Sequence, residues 1–331
     1  MRLLPFAVLL AVAESAGAQD TVRLSNSTAA EGYVSVTGTV VDFSGAGVSV
    51  ESAGSTRTYP IRLVQSIETH HTQSQLQGDA HYKAGKFTEA LVAYRTARTE
   101  ETRSWVRREI TARIVWCYRA LGQTTSAAHE FLLLVRTDPA TPYYDCIPLA
   151  WQGSFQSRTM IPEAQAWLRQ EDLPAAVLLG ASFLLQTEHG TTALTKLHGL
   201  AKSADENVAL LARAQAWRPT VISAQASQVQ QWQEMVEAMP APLRTGPYYI
   251  VGQGWARCQE WEKAAFALVR IPVLYPEHRE LASQALFDAA AALGKLNRHD
   301  EANRLYGELI KDHPQSPLVA EAQSRLKVLP P

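Results

Sequence analysis

The chain has 331 residues, 46% of them hydrophobic, with 31 basic against 32 acidic side chains and a formal net charge of −1. That balance offers no electrostatic capture of nucleic acid or of an anionic membrane surface, and the length is ample for a large core. Cys117, Cys146 and Cys258 show neither a CxxC nor a Cys/His spacing, so a zinc site or a thioredoxin-like redox centre is not indicated. They read as buried small hydrophobes, with a bridge between Cys117 and Cys146 left open.

Residues 1–18, MRLLPFAVLLAVAESAGA, carry one basic residue at Arg2, an apolar run from Leu3 to Ala13 and small residues at Ala16-Gly17-Ala18. This pattern predicts a cleaved signal segment and an exported, periplasmic or extracellular chain starting near Gln19. The run is too short to span a bilayer, so no membrane insertion after cleavage is expected. Removing Arg2 and Glu14 leaves the charge balance unchanged. Asn26-Ser27-Thr28 matches a glycosylation acceptor, a pattern common by chance.

Residues 19–70 are rich in Val, Thr, Ser and Gly, and Tyr33 to Val40 alternates with the period of a half-buried strand. Turn signals follow at Ser44-Gly45-Ala46-Gly47 and Ala53-Gly54-Ser55, and Val48–Glu51, Thr56–Ile61 and Leu63–Glu68 read as further strands. A small antiparallel, barrel-like β domain of four or five strands is predicted. Its order of elements resembles the SH3-like and Sm-like barrels. Arg23, Arg57 and Arg62 are outnumbered by Asp20, Glu31, Asp42, Glu51 and Glu68, which favours a structural or protein-docking role over nucleic-acid binding.

From residue 71 to 331 the periodicity is helical. Ala127, Phe131 and Pro139 share a spacing with Ala264, Leu268 and Pro276 and with Ala302, Tyr306 and Pro314, while Ala90 and Tyr94 keep the first two positions. Ala90 and Ala127 are 37 residues apart, Ala264 and Ala302 are 38 apart, and Ala127 to Ala264 is 137, close to four periods of about 34 residues. The small residue lets two helices approach, the bulky one fills the space one turn on, and the proline ends the second helix. About seven helix pairs follow, near 72–100, 107–137, 144–171, 173–203, 205–239, 242–275 and 279–312, with a capping helix over Ser316–Val328.

Gly78, Gly85, Phe87, Ala90, Tyr94 and Ala97, then Tyr118, Gly122, Ala127, Phe131 and Pro139, then Gly252, Trp255, Ala264, Leu268 and Pro276, and finally Ala290, Ala302, Tyr306 and Pro314 resemble the small, turn and bulky positions of the tetratricopeptide repeat family. The third to fifth pairs match only in helix length and apolar spacing, with Gly180 and Phe183 the best surviving pair. The resemblance implies a mainly α chain, a right-handed α-solenoid whose first helices line a concave groove. It places Asp79 and Tyr82, Trp116 and Arg119, and Tyr249, Gln253 and Arg257 on that groove. The closing stretch YGELIKDHPQSPLVAEAQSRL resembles the terminal repeats of Gram-negative envelope proteins.

No catalytic signature is complete. His129-Glu130 has Leu133 where a second zinc ligand would stand, and neither a G-x-S-x-G elbow nor a phosphate-binding glycine loop is present. His70, His71 and His81 have no suitably spaced carboxylate. The sequence therefore predicts a protein without cofactor or metal that is not an enzyme. Its predicted task is to bind another envelope or exported protein, or a peptide segment, through planar aromatics and guanidinium groups such as Trp116 and Arg119. The alternative is a carbohydrate- or cell-wall-processing helical-repeat enzyme, for which Asp205, Glu206, Glu234 and Glu237 are the available acids.

Overall fold

The computed structural model describes residues 19–29, 31–152 and 160–328; the signal segment expected over residues 1–18 lies outside the described residues. Five strands come first: β1 (Asp20–Ser25), β2 (Tyr33–Ser44), β3 (Gly47–Ser52), β4 (Ser55–Pro60) and β5 (Val64–Glu68). Their order is β4-β3-β2-β1-β5 and every neighbouring pair is antiparallel. β1 is a strand that the alternation pattern did not single out. The Asp20 carboxylate fixes the sheet's start, because it accepts hydrogen bonds from the Val40 backbone N–H (2.7 Å) and the Thr69 hydroxyl (2.5 Å).

Fourteen helices follow among the described residues: α1 (Gln73–Lys83), α2 (Phe87–Glu100), α3 (Ser104–Ala120), α4 (Thr124–Thr137), α5 (Met160–Leu168), α6 (Pro174–Leu184), α7 (Gly190–Leu200), α8 (Glu206–Trp217), α9 (Ala226–Ala238), α10 (Thr245–Arg257), α11 (Trp261–Leu274), α12 (Arg279–Lys295), α13 (His299–Asp312) and α14 (Val319–Val328). They form a helical-repeat stack in which each helix packs mainly on its chain neighbours. Ala90, Ala127, Ala264 and Ala302 are all fully buried. Their role is seen from the facing side. A Cβ on Gly78 of α1 would lie 2.6 Å from the Tyr94 ring, and one on Gly252 of α10 would lie 2.5 Å from Leu268, so the glycine is what lets the bulky residue of the second helix seat.

The turn between the two helices of a pair recurs in the same form. Gly85, Gly122, Gln259 and Asn297 each have a positive φ (73°, 68°, 61° and 59°) and each stands two residues before the second helix begins. The residue after each donates its backbone N–H to a carbonyl five residues back, at 2.9–3.0 Å, closing the helix with a Schellman-type turn. Among the described residues no such turn occurs between 160 and 240. The middle of the stack differs from expectation accordingly. Where a helix was expected from residue 144, the chain makes a 3-10 turn at Tyr144–Cys146; α5 then pairs with α6, and α7 with α8. At Gly180 the approach is to backbone, since a Cβ there would sit 2.4 Å from the Ala164 carbonyl oxygen.

The sheet docks on the second helix pair. Trp105 of α3 donates its indole N–H to the Val40 carbonyl at 3.0 Å, and Arg108 donates to the Phe43 carbonyl at 2.8 Å and to Asp42. The Gly45 backbone N–H donates to the Asp138 carboxylate at 3.0 Å, and a Cβ at Gly45 would collide with the Ala140 carbonyl at 2.1 Å. Val22, Leu24, Val40, Val48 and Val50 thereby join the same hydrophobic core as the helices. Replacing Trp105 by Phe leaves the buried Val40 carbonyl without its partner. The expected cost is about 1–3 kcal/mol, read as a lower midpoint in urea unfolding with an unchanged slope; an unchanged midpoint would remove this bond from the docking account.

Candidate functional site

The predicted groove residues occupy three places rather than one continuous surface. Trp116 and Arg119 lie one turn apart on α3 and meet the start of α12. The Arg119 guanidinium stands 4.3 Å from the Trp116 ring, hydrogen-bonds His278 Nδ1 at 3.2 Å and donates to the Asp145 carbonyl at 3.3 Å. His278 meets Trp116 edge to face with ring centroids 4.7 Å apart. Arg279 adds a second contact of the same kind, over the Phe87 ring at 5.2 Å. Trp116 is buried, so these two side chains join distant repeats and are not an open peptide-binding face. Tyr82 belongs to the same neighbourhood, packed edge to face on Phe87 at 5.3 Å, with its hydroxyl pushed up to about 12 by burial. Asp79 is engaged within its own hairpin, where its carboxylate accepts from the Tyr94 hydroxyl at 2.6 Å.

Tyr249 and Gln253 form a second cluster. Both donate to one oxygen of Asp288 on α12, at 3.1 and 2.7 Å, and Gln284 donates to the other at 3.0 Å. Burial raises the pKa of Asp288 while these three donors pull it down. Asp288 had no sequence signal of its own, since its partners stand 39 and 35 residues away. Arg257 is exposed and donates to the Ile222 carbonyl at 3.0 Å.

Beside the Trp116–His278 contact lies a cavity of about 730 Å³. Its walls come from the sheet (Phe43, Val64, Ile67), from α3 (Trp105, Glu109, Arg113), from the segment Ala140–Asp145, and from Leu243 and Glu277 across the stack. The turn at Tyr144–Cys146 packs against the turn at Ala241–Leu243 to complete it. Burial raises the pKa of Glu109, against the pull of His71 and Arg113. Burial also pushes Asp145 up to about 6, against the nearby Arg119. For Arg113 burial works against the charge, yet Tyr94, Glu109 and Asp79 more than offset it. His278 is held well below the usual histidine range by burial and then by Arg119.

The acids considered for catalysis do not gather. Asp205 caps α8 by accepting the Val208 N–H at 3.2 Å, Glu206 is exposed, Glu234 accepts from Gln230 at 3.0 Å, and Glu237 pairs with Arg270 at 3.1 Å. Glu109, Asp145 and Glu277 are instead the acids that line a cavity, and Glu109 could have been marked from its place four residues before Arg113 on the Trp116 helix. Cys117 and Cys146 are buried free thiols, Cys117 pushed up to about 12 by burial. Among the described residues no group of three or more His, Cys, Asp or Glu is placed to hold a metal, and no helix is long and apolar enough to cross a membrane.

The raised Asp145 carboxyl makes stability depend on pH with a defined sign. Between the unfolded value near 3.8 and the folded value of about 6 the folded chain holds the extra proton, so this group's contribution is present at acidic pH and lost as pH rises through about 6. His278 acts in the opposite sense, its contribution being lost as pH falls below about 6.5. Replacing Asp145 by Asn is expected to flatten the first effect, so that the difference in unfolding free energy between variant and parent shifts in the variant's favour from pH 4 to pH 7. A pH-independent difference in urea titrations would contradict the burial of this carboxyl.

A family model described as a tetratricopeptide repeat matches residues 284–316. No curated protein matches the chain. The matched stretch runs from within α12 to just past α13, so this hairpin of the stack is similar to a tetratricopeptide repeat.

Proposed function

We propose that the protein is an exported interaction scaffold, without enzymatic activity of its own, that holds another envelope or exported protein or a peptide segment on its helical repeats. The observation that carries this reading is the repetition itself. Four hairpins share one left-handed turn and two of them one glycine-against-bulky contact, and the last of the four matches a family model for a repeat. Such stacks provide extended surfaces from elements that each contact only their neighbours. The strand order β4-β3-β2-β1-β5 supports reading the sheet as an SH3-like or Sm-like module, here used to brace α3. The near-neutral charge gives no support to nucleic acid as the partner.

A second reading, a helical-repeat enzyme acting on carbohydrate, draws its support from Glu109 and Asp145, two acids with raised pKa lining one cavity. Release of sugar from isolated envelope polysaccharide, abolished by Glu109→Gln, would establish it over the scaffold.

Two measurements test the scaffold. The chain recovered from the envelope or medium of cells expressing it should begin near Gln19 by N-terminal sequencing; intact Met1 in a cytoplasmic fraction would end the export proposal. Hydrogen exchange of the purified chain, with and without envelope extract, should slow over a contiguous set of helices. Unchanged exchange over α1–α14 would overturn the scaffold reading.

A further inference from the structure

The cavity contains a charged pair that the fold does not use. Glu109 and Arg113 are four residues apart on α3, with Cβ atoms about 6 Å apart in such a helix, and both line the cavity. Neither makes a hydrogen bond or an ion pair with a described residue. Asp138, Arg119 and Asp288, by contrast, each have hydrogen-bond partners: Gly45, His278 and three side-chain donors in turn. Both side chains are half-buried, and a partly desolvated guanidinium and carboxylate with no hydrogen-bond partner are unfavourable. A second, independent sign comes from the opposite wall. Tyr144 is only 2% exposed and lines the same cavity, yet its hydroxyl has no partner; His71 Nδ1 at the cavity's other side is likewise buried and unpartnered.

The charge of the walls is asymmetric. Glu109, Asp145 and Glu277 face one guanidinium, that of Arg113, with His71 beside it. Trp105, Trp116 and Tyr143 supply flat aromatic surface, which favours a cation or an apolar stem. We propose that this cavity binds a zwitterion with an additional cationic group, that is, a free basic α-amino acid. Arg113 takes the carboxylate through its planar fork. Glu109 takes the adjacent ammonium, and the acids of the far wall take the side-chain cation. The size fits, since sites for small ligands span about 300–1,000 Å³. This is a small-molecule site, distinct from whatever surface holds a macromolecular partner, and its test needs only the purified chain.

The test is calorimetric titration of the mature protein with L-lysine and with three blocked analogues. L-lysine is expected to bind saturably. L-lysinamide, lacking the carboxylate, and Nα-acetyl-L-lysine, lacking the α-ammonium, are each expected to bind about tenfold or more weakly, as is L-norleucine, which lacks the side-chain ammonium. Arg113→Gln should erase the difference between lysine and lysinamide, and Glu109→Gln that between lysine and its Nα-acetyl form. The dipeptide Ala-Lys, whose lysine has an amide in place of the α-ammonium, is likewise expected to bind more weakly than lysine, and tighter binding of the dipeptide would overturn the assignment of Glu109 to the α-ammonium. Equal binding of lysine and its blocked forms to the unmodified protein, or no heat with any of them at about 10 mM, overturns the proposal whether or not the variants fold.

Discussion

The contact between Arg119 and His278 joins side chains 159 residues apart in an architecture whose units touch mainly their neighbours. Together with the Trp116–His278 and Phe87–Arg279 contacts it holds the first two helix pairs against the start of α12, beside the cavity. The contact depends on a neutral imidazole. Arg119 is desolvated and donates toward His278 Nδ1, so a protonated ring would set two buried cations side by side; burial together with that guanidinium is what drives the histidine's pKa down. The Trp116 face and the Asp145 carbonyl supply what a carboxylate would supply elsewhere, at a smaller desolvation penalty.

The sheet takes part in the same enclosure. Five short strands in about fifty residues have too little area to form a stable core unaided, and the valines of β1, β2 and β3 complete theirs against the helices. The hydrogen bonds from Trp105 and Arg108 end on backbone carbonyls at Val40 and Phe43. They fix where the sheet sits irrespective of what its outer strands carry. Phe43, Val64 and Ile67 then become cavity wall, so docking and enclosure are one event.

How much of this was legible in the sequence follows from how local each feature is. The pairing of Ala90 with Tyr94, and its copies, depends on contacts within one hairpin, and the periodicity shows it. The left-handed turns at Gly85 and Gly122 show for the same reason, while Gln259 and Asn297 adopt the identical conformation without announcing it. The middle repeats lack that turn, and their tightest contact, at Gly180, is against backbone atoms, which carry no side-chain identity to recognise. Trp116 and Arg119 stand out in the sequence by residue type, but what they meet is set by the curvature of all the intervening helices. No spacing rule reaches from 119 to 278, and an open groove was the natural expectation.

Helix α3 gathers these functions because its length allows it. Residues 105 and 108 hold the sheet, 109 and 113 face the cavity, and 116 and 119 reach α12. The span from 105 to 119 is about 21 Å at 1.5 Å per residue, with successive pairs displaced around the axis. A rotation of α3 that moved Glu109 and Arg113 toward a bound group would carry Trp105 and Arg119 with it, straining the sheet at one end and the α12 contact at the other. Occupancy of the cavity is therefore coupled to the stack's closure through one rigid element. The magnitude of that coupling is limited to the difference in ligand affinity between the two placements of the helix.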